Sequence, residues 1–121
     1  MSDRKKIELQ PFHRGIDSNT FTGRPSGLQV RRELDLDSKD KDSVKYQITI
    51  PRETTSFNAS FFLGLFFDSI KNLKGYDNFE DKYQLVFLEE NEQIKKGLIN
   101  DFIECKRQAI NEYNHKTGIS L

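Results

Sequence analysis

The sequence has little of what most catalytic or exported proteins use. It has one cysteine, Cys105, so no internal disulfide can form and a cysteine-based zinc site has no donor set. Its two histidines, His13 and His115, stand at opposite ends of the chain, in an expected loop and an expected tail. Neither lies at metal-ligand spacing from a cysteine or carboxylate, so no metal and no cofactor are expected. With histidine so placed, no Ser–His–Asp set can be picked out by local motif. Cys105 falls on an apolar helical stripe and reads as a core residue rather than a nucleophile. A protein that is not an enzyme is the expectation. Long hydrophobic runs are also missing. The longest, Phe61 to Phe67, is interrupted by Gly64 and is too short to cross a bilayer, and the N-terminal MSDRKKIELQPF has no apolar segment of the signal-peptide kind. A soluble, cytoplasmic protein is expected, with no membrane partner. Tryptophan is absent and methionine occurs once, which leaves ten phenylalanines and four tyrosines to build the core.

Charge of one sign is not in excess, since nineteen basic residues balance nineteen acidic ones. The distribution is uneven. Residues 1–32 carry seven bases against three acids, a balance of +4, and residues 33–92 carry thirteen acids against seven bases, a balance of −6. The basic stretch from Arg4 to Arg32 could meet a phosphate backbone, but nucleic-acid binders commonly show a stronger basic field. Nucleic acid is therefore not the expected partner.

Periodicity divides the 121 residues into one domain of alternating strands and helices. Lys6 to Phe12 alternates polar and apolar residues and reads as an edge strand ended by Pro11, followed by a loop from His13 to Thr20. Thr22 is the candidate N-cap of a helix from about Gly23 to Leu36, with Pro25 in its first turn. Asp35 to Ser43 (DLDSKDKDS) reads as a solvated loop, open to disorder or insertion. Val44 to Ile50 alternates strictly, which makes it the clearest strand, and Pro51 ends it. Asn58 or Ser56 caps a helix reaching about Leu73, with Lys74-Gly75 as its stop. Tyr76 to Tyr83 reads as a helical turn. Gln84 to Leu88 reads as an interior strand covered on both faces. The last helix runs from about Asn91 to Tyr113 on the stripe Ile94, Leu98, Phe102, Cys105, Ala109. The order β-α-β-α-β-α implies a small α/β fold of two or three layers around a mostly parallel sheet of three or four strands. Residues 1–20 supply the edge strand and loop, 21–114 the α/β domain, and 115–121 a flexible tail.

Three constellations are candidate sites. Thr55, Ser56 and Ser60, with Thr54, straddle a helix N-terminus. A phosphate there would meet the positive end of the helix dipole and recast a partner surface; otherwise they are capping residues. Gly23, Arg24 and Gly27, followed by Arg31, open another helix and could hold an anion through backbone amides and guanidinium groups; otherwise they form a glycine turn with surface arginines. Phe61, Phe62, Phe66 and Phe67 widen the apolar stripe of the central helix beyond what a small sheet need cover. They are either core or an interface to a second subunit or another protein. Gly64 within that helix costs about 1 kcal/mol in helix propensity, and a close backbone approach to a sheet or a partner would explain it.

The segments FTGRPSGLQVRREL, YQITIP, TTSFNASFFLGLF and FEDKYQLVF together resemble a STAS-like domain of the uncharacterised bacterial type, similar in layout to anti-sigma-factor antagonists. The resemblance spans roughly residues 20 to 110. It implies a compact α/β fold without a catalytic centre and a partner or switch role in bacterial signalling, often beside ATPase-type kinases. Pro51-Arg52 stands where many members have an acidic residue and then an aromatic one. Thr55-Ser56-Phe57 stands in place of the Ser-Ser-Gly of anti-sigma antagonists. The expected function is thus a protein-interaction or regulatory module of bacterial or phage origin, with a nucleic-acid accessory protein as the alternative and self-association left open.

Overall fold

The computed structural model describes residues 4–15 and 18–116. Among the described residues five strands and five α-helices follow one another, mostly in pairs: β1 (Lys5–Glu8), β2 (Thr20–Phe21), α1 (Arg24–Glu33), α2 (Leu36–Lys41), β3 (Tyr46–Ile50), β4 (Ser56–Phe57), α3 (Ala59–Asn72), α4 (Tyr76–Lys82), β5 (Tyr83–Phe87) and α5 (Glu92–Lys116), with a 3-10 turn at Pro11–Arg14. The main sheet is wholly parallel in the order β1-β3-β5, with Ile7, Ile48 and Leu85 in register. Both crossovers step the same way along the sheet, so a common right-handed sense puts their helices on one face. Tyr83 meets Phe66 of α3 and Phe79 of α4, and Phe87 meets Phe102 of α5, all from that face. The opposite face presents Lys6, Glu8 and Gln84 to solvent. The fold is the expected small α/β domain, in two layers.

Helix α3 lies at the centre of the helical layer, which explains its breadth of apolar surface. Phe61, Phe62, Leu65, Phe66 and Ile70 are fully buried and Phe67 nearly so. Phe61, Phe62, Phe66 and Phe67 are therefore core residues and not an exposed aromatic interface. Phe61 and Phe62 pack edge-on against Phe57, whose ring lies 5.0 Å from Phe21, 5.3 Å from Phe61 and 4.6 Å from Phe102, and Phe66 packs on Phe62 and Phe79. Asn58 caps the helix by accepting from the Ser60 N–H at 2.8 Å. At the other end Lys74 and Gly75 both take positive φ and stop it.

Helices α1 and α3 touch backbone to backbone. A Cβ on Gly27 would lie 2.3 Å from the Phe61 carbonyl oxygen, and one on Gly64 would lie 2.2 Å from that of Arg24. The close approach at Gly64 is made to α1, not to a sheet or a partner. Gly27 serves the same contact, not an anion site.

Asp35 to Ser43 is not a solvated loop. Leu36 is fully buried and opens α2, whose Asp40 is buried as well. The cause is a polar network with Arg31, which is only 3% exposed. Arg31 Nη1 donates to the Leu65 carbonyl at 2.9 Å and to Ser69 Oγ at 2.7 Å, while Nη2 donates to Asp37 and Asp40 at 2.6 and 2.8 Å. Asp40 also accepts from Ser69 at 2.9 Å, Asn72 at 3.0 Å and the Tyr83 hydroxyl at 2.6 Å. Each buried charge thus has a partner charge and further hydrogen bonds, the condition under which an ion pair can be buried.

Strand β5 is also placed differently from the expectation: it is an edge, and β3 is the interior strand. A run of apolar residues reads the same from sequence whether both faces are covered or one side is open. β2 and β4 form a second parallel pair, Thr20 with Ser56 and Phe21 with Phe57. Strands of two residues are too short to carry a periodicity. The first helix is capped by Gly23 rather than Thr22, and α5 continues past Tyr113 to Lys116. Residues 117–121 of the expected tail and 16–17 of the expected loop lie outside the described residues.

Two substitutions test this packing. Gly27→Ala or Gly64→Ala should lower unfolding stability by about 1–3 kcal/mol, although in an unobstructed helix the same change adds about 1 kcal/mol. Asp40→Ala should cost about 3–5 kcal/mol by leaving Arg31 buried without its partner, and the pair Arg31→Met with Asp40→Leu should recover most of that. Urea denaturation measures each.

Candidate interaction site at the N-termini of helices α1 and α3

The β2–β4 pair holds the chain entering α1 against the chain entering α3. The Thr55 N–H donates to the Asn19 carbonyl, and the Asn58 N–H to that of Phe21, both at 2.8 Å. Ser60 then joins the two helix starts: its hydroxyl donates to Asn58 Oδ1 at 2.6 Å and accepts from the Gly23 N–H at 3.1 Å. Helix α5 closes the third side. Asp101 accepts from the Phe57 N–H at 2.9 Å, and Glu112 takes the Arg24 guanidinium in a fork at 3.1 and 2.6 Å. Between these elements lies a cleft of about 330 Å³ lined by Arg24, Ser56, Asn58, Ser60, Asp101 and Glu104.

The cleft is of mixed polarity, with Phe57, Ala59 and Leu63 also in its lining, and its charged residues are more acidic than basic. Its cation, Arg24, is paired with Glu112 and its Glu104 with Arg107, which leaves the Asp101 carboxylate, bonded to the Phe57 N–H. The Glu104 carboxyl is held at about 2, first by its hydrogen bond from Arg107 and then by that from Gln108. Glu104 is therefore ionised throughout the physiological range.

Of the candidate residues, Ser56 and Arg24 meet in this cleft, with Ser60 in its wall. Thr55 is exposed beside it, and Ser56 is half-buried. The Ser60 hydroxyl is engaged in capping. The anion-binding set does not come together. The Gly23 N–H is taken by Ser60, Arg24 is forked to Glu112, Gly27 is pressed against α3, and Arg31 is buried with Asp40 and paired also with the exposed Asp37. Asp101 and Glu104 went unnoticed in the sequence because they punctuate a long helix and look like ordinary surface charges. The signal for Asp101 was its place one turn before Cys105 on the buried stripe.

The remaining reactive groups sit elsewhere. His13 accepts from the Gln10 N–H through Nδ1 and faces Glu33 at 3.4 Å; burial lowers its pKa more than Glu33 raises it. His115 is exposed near the end of α5. Cys105 is fully buried and burial pushes its thiol up to about 12. Among the described residues no group of three or more His, Cys, Asp or Glu is arranged to hold a metal, and no helix is long and apolar enough to cross a membrane.

The basic stretch is dispersed. Arg4 donates to the carbonyls of Tyr46, Lys82 and Asp81, Arg14 to Arg52 and Thr54, Arg24 to Glu112, and Arg31 is buried. Lys5, Lys6 and Arg32 remain as exposed cations.

No family model, curated protein or solved structure matches the chain.

The buried thiol gives a direct check on the placement of α5. Cys105 should react with a thiol reagent at neutral pH only as fast as the protein opens, and completely once denaturant is added. Fast stoichiometric labelling of the native protein, followed spectrophotometrically, would contradict that placement.

Proposed function

We propose that the chain is a non-catalytic regulatory module of bacterial or phage origin. It binds a protein partner through the cleft at the N-termini of α1 and α3. The supporting observation is the juxtaposition there of the accessible hydroxyls of Thr55 and Ser56 with Asp101, whose carboxylate ties α5 to the residue next to Ser56. A partner presenting basic or amide donors would complement Asp101 and Glu104. Phosphorylation of Ser56 would add about two negative charges beside two carboxylates, loosening α5 from β4 and changing the surface the partner meets. The STAS-like resemblance suggests an ATPase-type kinase as the partner class, and the lone Cys105 is in keeping with a place in the cytoplasm. The nucleic-acid alternative is weakened by the internal use of Arg4, Arg14, Arg24 and Arg31.

The test is a tagged pull-down from host lysate with a graded salt wash, using the full chain and its Ser56→Asp variant, with phosphopeptide mapping of residues 52–71. One protein partner that survives moderate salt and is lost with Ser56→Asp supports the proposal. Nucleic acid alone, released by salt with the steep dependence of phosphate contacts, would replace it with the alternative.

A further inference from the structure

The main sheet has two edges of opposite character. β1 carries Lys5, Lys6 and Glu8, all exposed, and charge of this kind discourages pairing with another strand. β5, Tyr83-Gln84-Leu85-Val86-Phe87, and the following Leu88 have neither charge nor proline. Leu88 N–H donates to the Ile50 carbonyl at 3.0 Å. Backbone groups of successive residues point to opposite sides of a strand, so those of Gln84 and Val86 face β3 while those of Leu85 and Phe87 face outward. The Tyr83 N–H is already used, donating to the Phe79 carbonyl at the end of α4. The sheet order places no strand outside β5.

An apolar patch accompanies this open edge. On α5, Lys106 reaches Glu80 of α4 at 3.5 Å and lies over the Tyr76 ring. Ile99 is two turns earlier on the same flank, and Ile103 is its i+4 neighbour. Phe102, between them, meets Phe87. Ile99 is 45% exposed and Ile103 63%, so two large aliphatic side chains of this flank lie in water, while Leu88, 42% exposed, follows the strand on the face of Gln84.

We infer that β5 is a self-association edge: two copies pair antiparallel about a two-fold axis through Leu85, joining two three-stranded sheets into one of six. A second copy fits because the edge complements itself in this register. Leu85 exchanges both its hydrogen bonds with Leu85 of the other copy, and each Phe87 N–H donates to the opposite Tyr83 carbonyl. Every outward N–H of β5 is then used, and the register asks nothing of the Tyr83 N–H already committed to α4. The acids at the strand ends are occupied within their own chain. Glu89 accepts from the Glu53 and Asn91 N–H groups, and Asp81 pairs with Lys45. Ile99 and Ile103 of the two copies meet beside the axis. The charged β1 edges at the far ends stop growth at two copies, so the assembly closes as a dimer and does not extend into a fibre.

Sedimentation equilibrium of the full chain over a wide concentration range tests this. A monomer–dimer equilibrium is expected, and Ile99→Lys with Ile103→Lys, at exposed positions, should weaken it at least about tenfold without changing the circular dichroism spectrum. Hydrogen exchange on the unmodified chain gives an independent reading: the Leu85 and Phe87 amides should become protected as concentration rises. A chain that stays monomeric at the highest concentration, a dimer indifferent to the two lysines, or exchange at Leu85 and Phe87 independent of concentration would each overturn the inference.

Discussion

The contact between Gly27 and Gly64 governs the helical layer. Two helices that meet through side chains lie 8–10 Å apart, but without a Cβ at the crossing the backbones of α1 and α3 approach much closer. Only at this separation can Ser60 bond Gly23 at one end of the pair and Arg31 bond the Leu65 carbonyl and Ser69 at the other. It also lets the β2–β4 ladder close between the two entering segments. The cost of glycine within two helices is met by the polar and aromatic contacts the approach brings into reach.

Polar bonding continues at the N-terminal end of the main sheet, where parallel strands leave backbone groups without partners. Lys82 donates to the carbonyls of Asp42 and Val44 at 2.7 and 2.8 Å and to the Asp42 carboxylate at 2.9 Å. The Tyr46 hydroxyl also donates to Asp42. Burial pushes the Asp42 carboxyl up, but the bonds from Tyr46, Lys82 and the Val44 N–H outweigh it and hold it at about 2. Arg4 adds bonds to the Tyr46 and Lys82 carbonyls. A side chain that counts as a surface cation in the sequence is here a cap on a sheet.

What could be read in advance follows from the range of each interaction. β3 and α5 were legible because alternation and a helical stripe are local. Asn58 and Lys74-Gly75 marked the ends of α3 because caps act within one turn. Gly64 was legible as an anomaly whose cause was not. α2 was hidden because a single Leu36 anchors it and its ion pair joins residues nine apart on two helices, both of which also bond Ser69 of a third. The edge position of β5 was hidden because hydrophobicity reports burial and not strand order. For the candidate cleft, Ser56 and Arg24 were each picked out alone, but their neighbours Asp101 and Glu104 come from a helix 45 residues further on.

The glycine crossing also has a mechanical consequence. α1 and α3 run side by side with one backbone contact near the middle, a hydrogen bond at the leading end and a buried guanidinium at the trailing end. Such a pair is a lever with its fulcrum at Gly27 and Gly64. Gly23 and Arg31 stand on opposite sides of that fulcrum, about 12 Å apart along the axis at 1.5 Å per residue. The Gly23–Ser60 bond at the cleft and the Arg31–Ser69 bonds beside α2 thus hang on the same two backbones, fixed by one crossing.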